Sequence, residues 1–168
     1  MNKCENCGYF NSFEKSSYFI YLSANSMLYE KIKDQIRPIQ KSCPKNCLNK
    51  CKSSLFVTNR PLIFSMVLTW EENLEKARFE RIIQLIKEEI DICDIFDNPK
   101  IELRKYRLVG MILYNLYHYI CYFFIEKKGK WFSFDDSLVN EIGHNFEEIR
   151  QRCLRGNFKP TLLFYIKM

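Results

Sequence analysis

The stretch that decides the fold is HYICYFFIEKKGKWFSFDD, residues 118–136. It contains two runs rich in aromatic and apolar residues, 119–125 and 131–134, on either side of a basic segment at 127–130. Aromatic and β-branched residues favour extended chain, and a glycine within the polar interval favours a reversal. The stretch therefore predicts a β-hairpin, and a long strand that begins near Tyr106 is expected to precede it.

His118 and Asp135 are expected to lie nearly opposite each other in this hairpin. The midpoint between them falls between Glu126 and Lys127, beside the turn, so the pairing holds within a register error of two. Opposed Cβ atoms lie about 4.5–5.5 Å apart, which lets the carboxylate accept a hydrogen bond from one imidazole nitrogen. The other nitrogen is then free to activate a thiol. The alternative is a structural histidine within an aromatic sheet. Asp136 should point the other way and hold a supporting or oxyanion-side position.

Two cysteine pairs near the start of the chain predict a metal site. The first has two residues between its thiols and the second has three. Each pair can bind one metal ion through a tight turn, and four thiolates complete the tetrahedral shell of a structural zinc. The predicted ligands are Cys4, Cys7, Cys43 and Cys47. The alternatives are unligated thiols, or Cys51 as the fourth ligand in place of Cys47.

Strand and helix signals follow one another in the rest of the chain. Residues 62–70 alternate as a strand with one apolar face, and 161–166 predict a closing strand. The last helix has Asn145 as its expected cap, with Glu148 three residues on, and Gly156 at its left-handed end. An earlier helix is predicted from apolar residues at spacings of three and four, which are Phe79, Ile82, Ile83, Ile86, Ile90 and Cys93. The fold class is therefore α+β with a mostly antiparallel sheet.

The composition excludes several classes of protein. Hydrophobic residues make up 47% and charged residues 27% of the 168, which is typical of a folded domain. The net charge of +6 is scattered among 20 acidic residues, without the basic stripe of a nucleic-acid binder. The apolar stretch 111–125 is shorter than the roughly 20 residues of a membrane span, and the first residues lack a signal peptide's apolar core. We expect a cytoplasmic or nuclear protein that binds neither nucleic acid nor membrane.

Six parts of the sequence, in order, resemble the ubiquitin-specific protease family (ubiquitin carboxyl-terminal hydrolases, peptidase C19). They are the paired cysteines, 61–70, 108–111, 118–119, Trp131 with 134–137, and 160–165. The likeness covers nearly the whole chain and corresponds to the carboxyl-terminal half of that family's catalytic domain. The segments 43–47, 141–143 and 153–156 are similar to the branch that contains the tight-junction-associated members, often described as weakly active or inactive.

The resemblance implies a papain-like cysteine protease partial domain. Residues 1–58 would form zinc-ribbon fingers, and residues 59–168 an antiparallel palm sheet that carries the histidine and aspartate. The family hydrolyses the bond after ubiquitin's terminal glycine, so ubiquitin or a ubiquitinated protein is the implied partner. By position, His118 would act as general base and then acid, with Asp135 as its orienting partner.

Two departures from the family pattern affect the expected activity. The cysteine box is missing, and Cys121 is a poor substitute because it lies three residues beyond His118 and faces the other side of the strand. Bulky Tyr117 also stands where the family often has glycine. We therefore expect the chain alone to be inactive, as the part of a deubiquitinase that supplies the histidine and aspartate. The alternatives are a pseudoenzyme that binds ubiquitin or a partner, and a zinc-stapled domain with an unrelated interaction.

Overall fold

The structure of the protein is a computed structural model. The residues that it describes are 2–11, 19–29, 31–36, 42–45, 47, 49–54, 56–57, 60–97 and 105–168. Within these ranges the chain forms a three-stranded sheet and an eight-stranded sheet. No helix in the described part of the chain is both long enough and apolar enough to cross a membrane.

The strands are β1 (Asn2–Lys3), β2 (Phe10–Asn11), β3 (Ile20–Ser23), β4 (Lys52–Ser53), β5 (Ile63–Thr69), β6 (Glu89–Asp91), β7 (Lys105–Asn115), β8 (His118–Ile125), β9 (Lys130–Asp135), β10 (Leu138–Gly143) and β11 (Lys159–Lys167). The α-helices are α1 (Ile32–Ile36), α2 (Lys76–Leu85) and α3 (Phe146–Gly156). Short 3-10 turns occupy Asn25–Leu28, Ile92–Asp94 and Glu126–Lys128.

The large sheet has the strand order β10-β9-β8-β7-β11-β5-β3, and β6 pairs with β7 beside this path. Its pairings are antiparallel except that of β3 with β5, which is parallel. This confirms an α+β fold with a mostly antiparallel sheet. The hairpin predicted from residues 118–136 is formed by β8 and β9, and Gly129 takes the left-handed conformation (φ 62°) that its turn needs.

Alternating burial sets the core face of the sheet. On β5, Phe64, Met66 and Leu68 are buried, as the period of two predicts. The predicted face is shorter than expected, because Leu62 lies before the strand and is 76% exposed, while Trp70 follows it and is half-buried. Buried residues of α2 and α3 join the same core cluster and cover this face. The elements that carry the candidate site thus rest on a packed core.

Two helix boundaries differ from the prediction. The helix predicted from the apolar spacing that starts at Phe79 is α2, and it ends at Leu85. The next residue, Ile86, has an extended backbone (ψ 116°). Ile90 belongs instead to β6, so its burial comes from sheet pairing rather than from a helical stripe. At the end of α3, Asn157 rather than Gly156 takes the left-handed position (φ 51°). Apolar spacing alone could not separate a helix from a turn followed by a strand.

The described strands of the amino-terminal region belong to two different sheets. The three-stranded sheet joins β2, β1 and β4, close to the paired cysteines. However, β3 also lies within the predicted 1–58 lobe and pairs with β5 of the large sheet. The described part of residues 1–58 therefore contributes strands to both sheets.

Candidate functional site

A two-residue turn places His118 at the start of β8. Asn115 and His118 are the last paired residues of the β7–β8 hairpin, and Leu116 and Tyr117 connect them. Both connecting residues have positive φ, 45° and 68°, a conformation that such tight hairpin turns require and that glycine or asparagine usually supplies. Their side chains are 83% and 93% exposed. The bulky Tyr117 noted in the sequence therefore stands at the tip of the hairpin, in solvent, directly before the histidine.

Asp135 is the last residue of β9 and comes just before another tight turn. It pairs with Leu138 of β10, and Asp136 in the turn between them has a left-handed backbone (φ 47°). On its other side β9 pairs with β8, and Cys121 lies opposite Phe134. This register differs by two residues from the one in which positions 118 and 135 would lie opposite each other. The shift lies within the predicted error.

The imidazole and the carboxylate nevertheless meet. Nε2 of His118 lies 2.6 Å from Oδ1 of Asp135, a short hydrogen-bonding distance. The two side chains are 50% and 41% exposed, so the pair is accessible to another molecule. Because Asp135 occupies Nε2, the Nδ1 atom of His118 is left to exchange a proton with a third group.

Asp136 lies closer to this pair than the sequence predicted. The ligating atoms of His118, Asp135 and Asp136 all lie within 4.8 Å of one another. The expectation that Asp136 points away was based on strand alternation, which fails because its left-handed backbone starts the turn. These three side chains could also hold a metal ion, although exposed acidic groups often meet without one. The site therefore brings together one imidazole and two carboxylates.

No thiol joins this group among the described residues, which include all eight cysteines. Cys121 is directed to the opposite face of β8, since it lies three residues from His118. Desolvation by burial raises the pKa of its thiol, which keeps it protonated at neutral pH. His144 is also apart from the group: it is 63% exposed, and its Nε2 lies 3.8 Å from Glu141.

The predicted metal ligands converge at a second site. The sulfur of Cys4 lies 3.4 Å from that of Cys47, and the sulfur of Cys7 lies 3.4 Å from that of Cys43. All four sulfurs lie within 4.8 Å of one another. Tetrahedral zinc with bonds of about 2.3 Å needs sulfurs roughly 3.8 Å apart, so the four thiols fit such an ion. Cys51 is buried beside them but is outside the group of four, which favours Cys47 over Cys51.

Tight turns hold the cysteines in place. The amide of Gly8 donates to the carbonyl of Cys4 (3.1 Å), and Gly8 has the positive φ (67°) that this turn requires. The amide of Cys7 also donates to the Cys4 sulfur, and this is the main reason that the pKa of Cys4 falls to about 6. Burial and the neighbouring sulfurs raise the pKa of Cys7 and Cys43 instead, so metal binding must release their protons, because the thiolate is the form that binds metal.

Comparison with known proteins relates the chain to one family. The family model described as ubiquitin carboxyl-terminal hydrolase matches residues 2–165. The human protein named ubiquitin carboxyl-terminal hydrolase 53 is 33% identical over 128 residues, which cover 74% of this chain and 12% of that protein. The mouse protein named ubiquitin carboxyl-terminal hydrolase 54 is 32% identical over 129 residues, 74% of this chain and 8% of that protein. The chain thus spans a small fraction of the length of these relatives.

Two solved structures share the fold. The Saccharomyces cerevisiae PAN2 pseudoubiquitin-hydrolase aligns with 99% of this chain and 54% of its own, with a TM-score of 0.57 and 20% identity. A chain of the SAGA DUB module of Ubp8, Sgf11, Sus1 and Sgf73 also aligns with this chain, with a TM-score of 0.64 and 18% identity. The alignment covers 99% of this chain and 39% of the matched chain. These likenesses confirm the predicted fold class.

Proposed function

The chain belongs to the ubiquitin carboxyl-terminal hydrolase family, and from this membership we propose that it supplies the histidine and the orienting aspartate of a deubiquitinase site whose nucleophilic cysteine comes from sequence outside this chain. It is a partial domain of the deubiquitinase type with the papain-like α+β fold. The observation that carries the proposal is the 2.6 Å contact between His118 and Asp135.

His118 acts as the general base and then as the general acid. With Asp135 holding Nε2, the Nδ1 atom of His118 takes the proton of the incoming thiol. The thiolate attacks the carbonyl carbon of ubiquitin's terminal glycine, and Nδ1 returns the proton to the departing amine as the thioester forms. A water molecule then gives a proton to Nδ1 while its oxygen attacks the thioester, which releases ubiquitin, and Nδ1 passes that proton to the departing thiolate.

The two carboxylates orient the imidazole ring. Asp135 accepts a hydrogen bond from Nε2 throughout the cycle and so keeps the ring in one orientation. Asp136 takes the supporting position, because its carboxylate lies within 4.8 Å of both partners.

Zinc is the metal that the four-cysteine site is proposed to hold. Four thiolates with sulfurs at this spacing form a closed tetrahedral shell without a place for water, so the ion is structural and takes no part in hydrolysis. The ion would join the segment of Cys4 and Cys7 to that of Cys43 and Cys47 and so stabilise the fingers. These two segments form the part of the proposed 1–58 lobe that is separate from the large sheet.

A second candidate function is binding without hydrolysis. It is favoured by the absence of any described thiol from the group around His118. In this case the chain binds ubiquitin or another protein partner, and the His118–Asp135 pair has no reaction to perform. The fold likeness to a protein described as a pseudoubiquitin-hydrolase is compatible with this candidate.

The two candidates differ in a complementation experiment with a fluorogenic ubiquitin reporter. The chain alone should give no turnover. The chain co-purified with a cysteine-bearing amino-terminal half-domain from a family member should cleave the reporter, and His118→Ala should reduce the rate by about 10²–10⁴-fold, the usual contribution of a general base. A complex that binds ubiquitin without cleaving it would support the binding candidate. Turnover that does not depend on His118 would exclude the proposed catalytic role.

The remaining proposals concern partners and location. Ubiquitin or a ubiquitinated protein is the proposed partner, and neither nucleic acid nor a membrane surface is needed. The proposed location is the cytoplasm or the nucleus, where a zinc site of four thiolates stays reduced.

A further inference from the structure

The turn that presents His118 is strained. Leu116 and Tyr117 both adopt positive φ, where a side chain crowds the backbone and where glycine or asparagine is normally found. Both side chains are exposed at the tip, so their packing does little to offset this strain. A strained terminal turn opens easily, and His118 is the first residue after it. Strand pairing and the contact between the Tyr114 and Tyr119 rings (centroids 4.9 Å apart) hold the adjoining residues, and a further contact at the turn itself would help to keep the imidazole in place.

The side chain of Asn115 forms such a hold. Its Nδ2 atom donates a hydrogen bond of 2.9 Å to the carbonyl oxygen of Gly156, 41 residues away at the last position of α3. Asn115 is also the residue that pairs with His118 across the hairpin. The hydrogen bond, called here the hairpin anchor, therefore attaches the strained end of the hairpin to a helix.

The accepting end of the hairpin anchor is itself rigid. Asn157 follows Gly156 in the left-handed conformation, and its amide donates back to the carbonyls of Cys153 and Leu154. A side chain at Gly156 would meet the ring of Phe158 at 2.2 Å, so this ring packs directly over the helix end. Phe158 in turn contacts Tyr122 of β8 edge-on, with ring centroids 6.2 Å apart. The carbonyl that receives the anchor is thus fixed relative to the strand that carries His118.

We propose that Asn115 is a positioning residue, which holds the imidazole of His118 against Asp135 by tying the strained Leu116-Tyr117 turn to the end of α3. Its catalytic meaning rests on the function proposed above. Its effect on the orientation of His118 does not depend on that function, because it concerns only the geometry of this chain. The two ideas can therefore fail separately.

The test measures contact between the His118 ring and Asp135 by NMR, as nuclear Overhauser effects between their protons. In Asn115→Ala, and in Asn115→Asp, which keeps the size but removes the amide donor, these effects should fall at least about two-fold while the protein stays folded. Leu116→Asn together with Tyr117→Gly should relax the turn. In the Asn115→Ala background this double change should restore the nuclear Overhauser effects, since a turn without strain needs no anchor. In the complemented enzyme, Asn115→Ala should lower kcat with little change in KM.

The matched control is Asn145→Ala, which removes the cap at the other end of the same helix. The Asn145 side chain accepts a hydrogen bond from the amide of Glu148 (3.0 Å), so its loss weakens α3 without touching the hairpin. This variant should leave the contact between His118 and Asp135 unchanged. The proposal is overturned if Asn115→Ala leaves the contact intact, or if Asn145→Ala loosens it equally. Turnover that persists in His118→Ala would instead refute the proposed function and leave the NMR result as it stands.

Discussion

The Nε2 atom of His118 lies 2.6 Å from Oδ1 of Asp135, although the strands that carry them do not pair the two residues. The register sets Cys121 against Phe134, so positions 118 and 135 are offset by two along the hairpin. Both residues lie at strand ends, where a turn begins, and their side chains span the offset. The contact therefore depends on the two turns as much as on the sheet, which makes turn conformation the sensitive point of the site.

We predict that one zinc ion binds per chain and that its removal loosens the small sheet first. Cys4→Ser should lower the zinc content of freshly purified, reduced protein well below one equivalent, because it removes one of four converging thiolates. Hydrogen exchange after chelation should then speed up in residues 2–11 and 42–54, while 105–115 stays protected. Elemental analysis and hydrogen-exchange mass spectrometry make these two measurements.

Cys121→Ser is the matched control for this prediction, since Cys121 lies on the large sheet outside the group of four. It should leave the zinc content unchanged. Metal-free protein that is fully protected throughout the small sheet would show that the four thiols do not need an ion.

Much of the candidate site follows from local sequence. The aromatic runs and the basic turn predict a hairpin. Any register of this hairpin within two residues of the expected one brings His118 near Asp135. The position of Asp136 could not be predicted in the same way, because alternation assumes extended backbone and this residue begins a turn at positive φ. The hairpin anchor was equally hidden, since nothing in the local sequence relates Asn115 to a residue 41 positions later.

We predict that Gly110→Ala destabilises the protein by about 1–3 kcal/mol, the usual cost of overpacking. A Cβ at Gly110 would lie 2.1 Å from the ring of Phe123 on the neighbouring strand. That ring cannot easily move away, because it is stacked on Phe164 with centroids 5.7 Å apart. Chemical denaturation of the variant and the parent measures the difference in the free energy of unfolding.

A double-mutant cycle checks the cause of this effect. In a Phe123→Ala background the ring is gone, so adding Gly110→Ala should cost much less than in the parent protein. An equal cost in both backgrounds would point to the backbone of Gly110 rather than to the close approach of the ring.

We predict that Glu141 contributes stability that is lost in acid. A hydrogen bond from the Lys130 side chain (2.7 Å) lowers the pKa of Glu141 below its ordinary value of 4.5. Because the folded pKa is below the unfolded one, this contribution is present above about pH 4.5 and disappears as the pH falls through the folded pKa. Glu141→Gln should therefore lower stability at pH 7 and show a smaller loss between pH 5 and pH 3.

Thermal unfolding across that pH range makes the measurement, with the exposed Glu72 changed to Gln as the control. The control should keep the parent's pH dependence. A Glu141→Gln variant that loses stability in acid as steeply as the parent would contradict the prediction.

The sheet pattern was easier to foresee than the helix ends. Alternation identified the buried face of β5, because a half-buried strand repeats every two residues. The apolar spacing from Phe79 to Cys93 predicted a helix that is too long. After α2 ends, a turn and β6 continue the same spacing of buried residues. Local apolar spacing reports burial and cannot identify the element that produces it.

The central claim is that Asp135 holds Nε2 of His118 and leaves Nδ1 to exchange a proton, and nitrogen NMR of the His118 ring tests it most directly. In the neutral form of the ring, the account predicts a proton on Nε2, shifted downfield by its hydrogen bond to the carboxylate, and a lone pair on Nδ1. In Asp135→Ala the downfield signal should vanish. A ring protonated on Nδ1 instead, or a spectrum that Asp135→Ala leaves unaltered, would contradict the account.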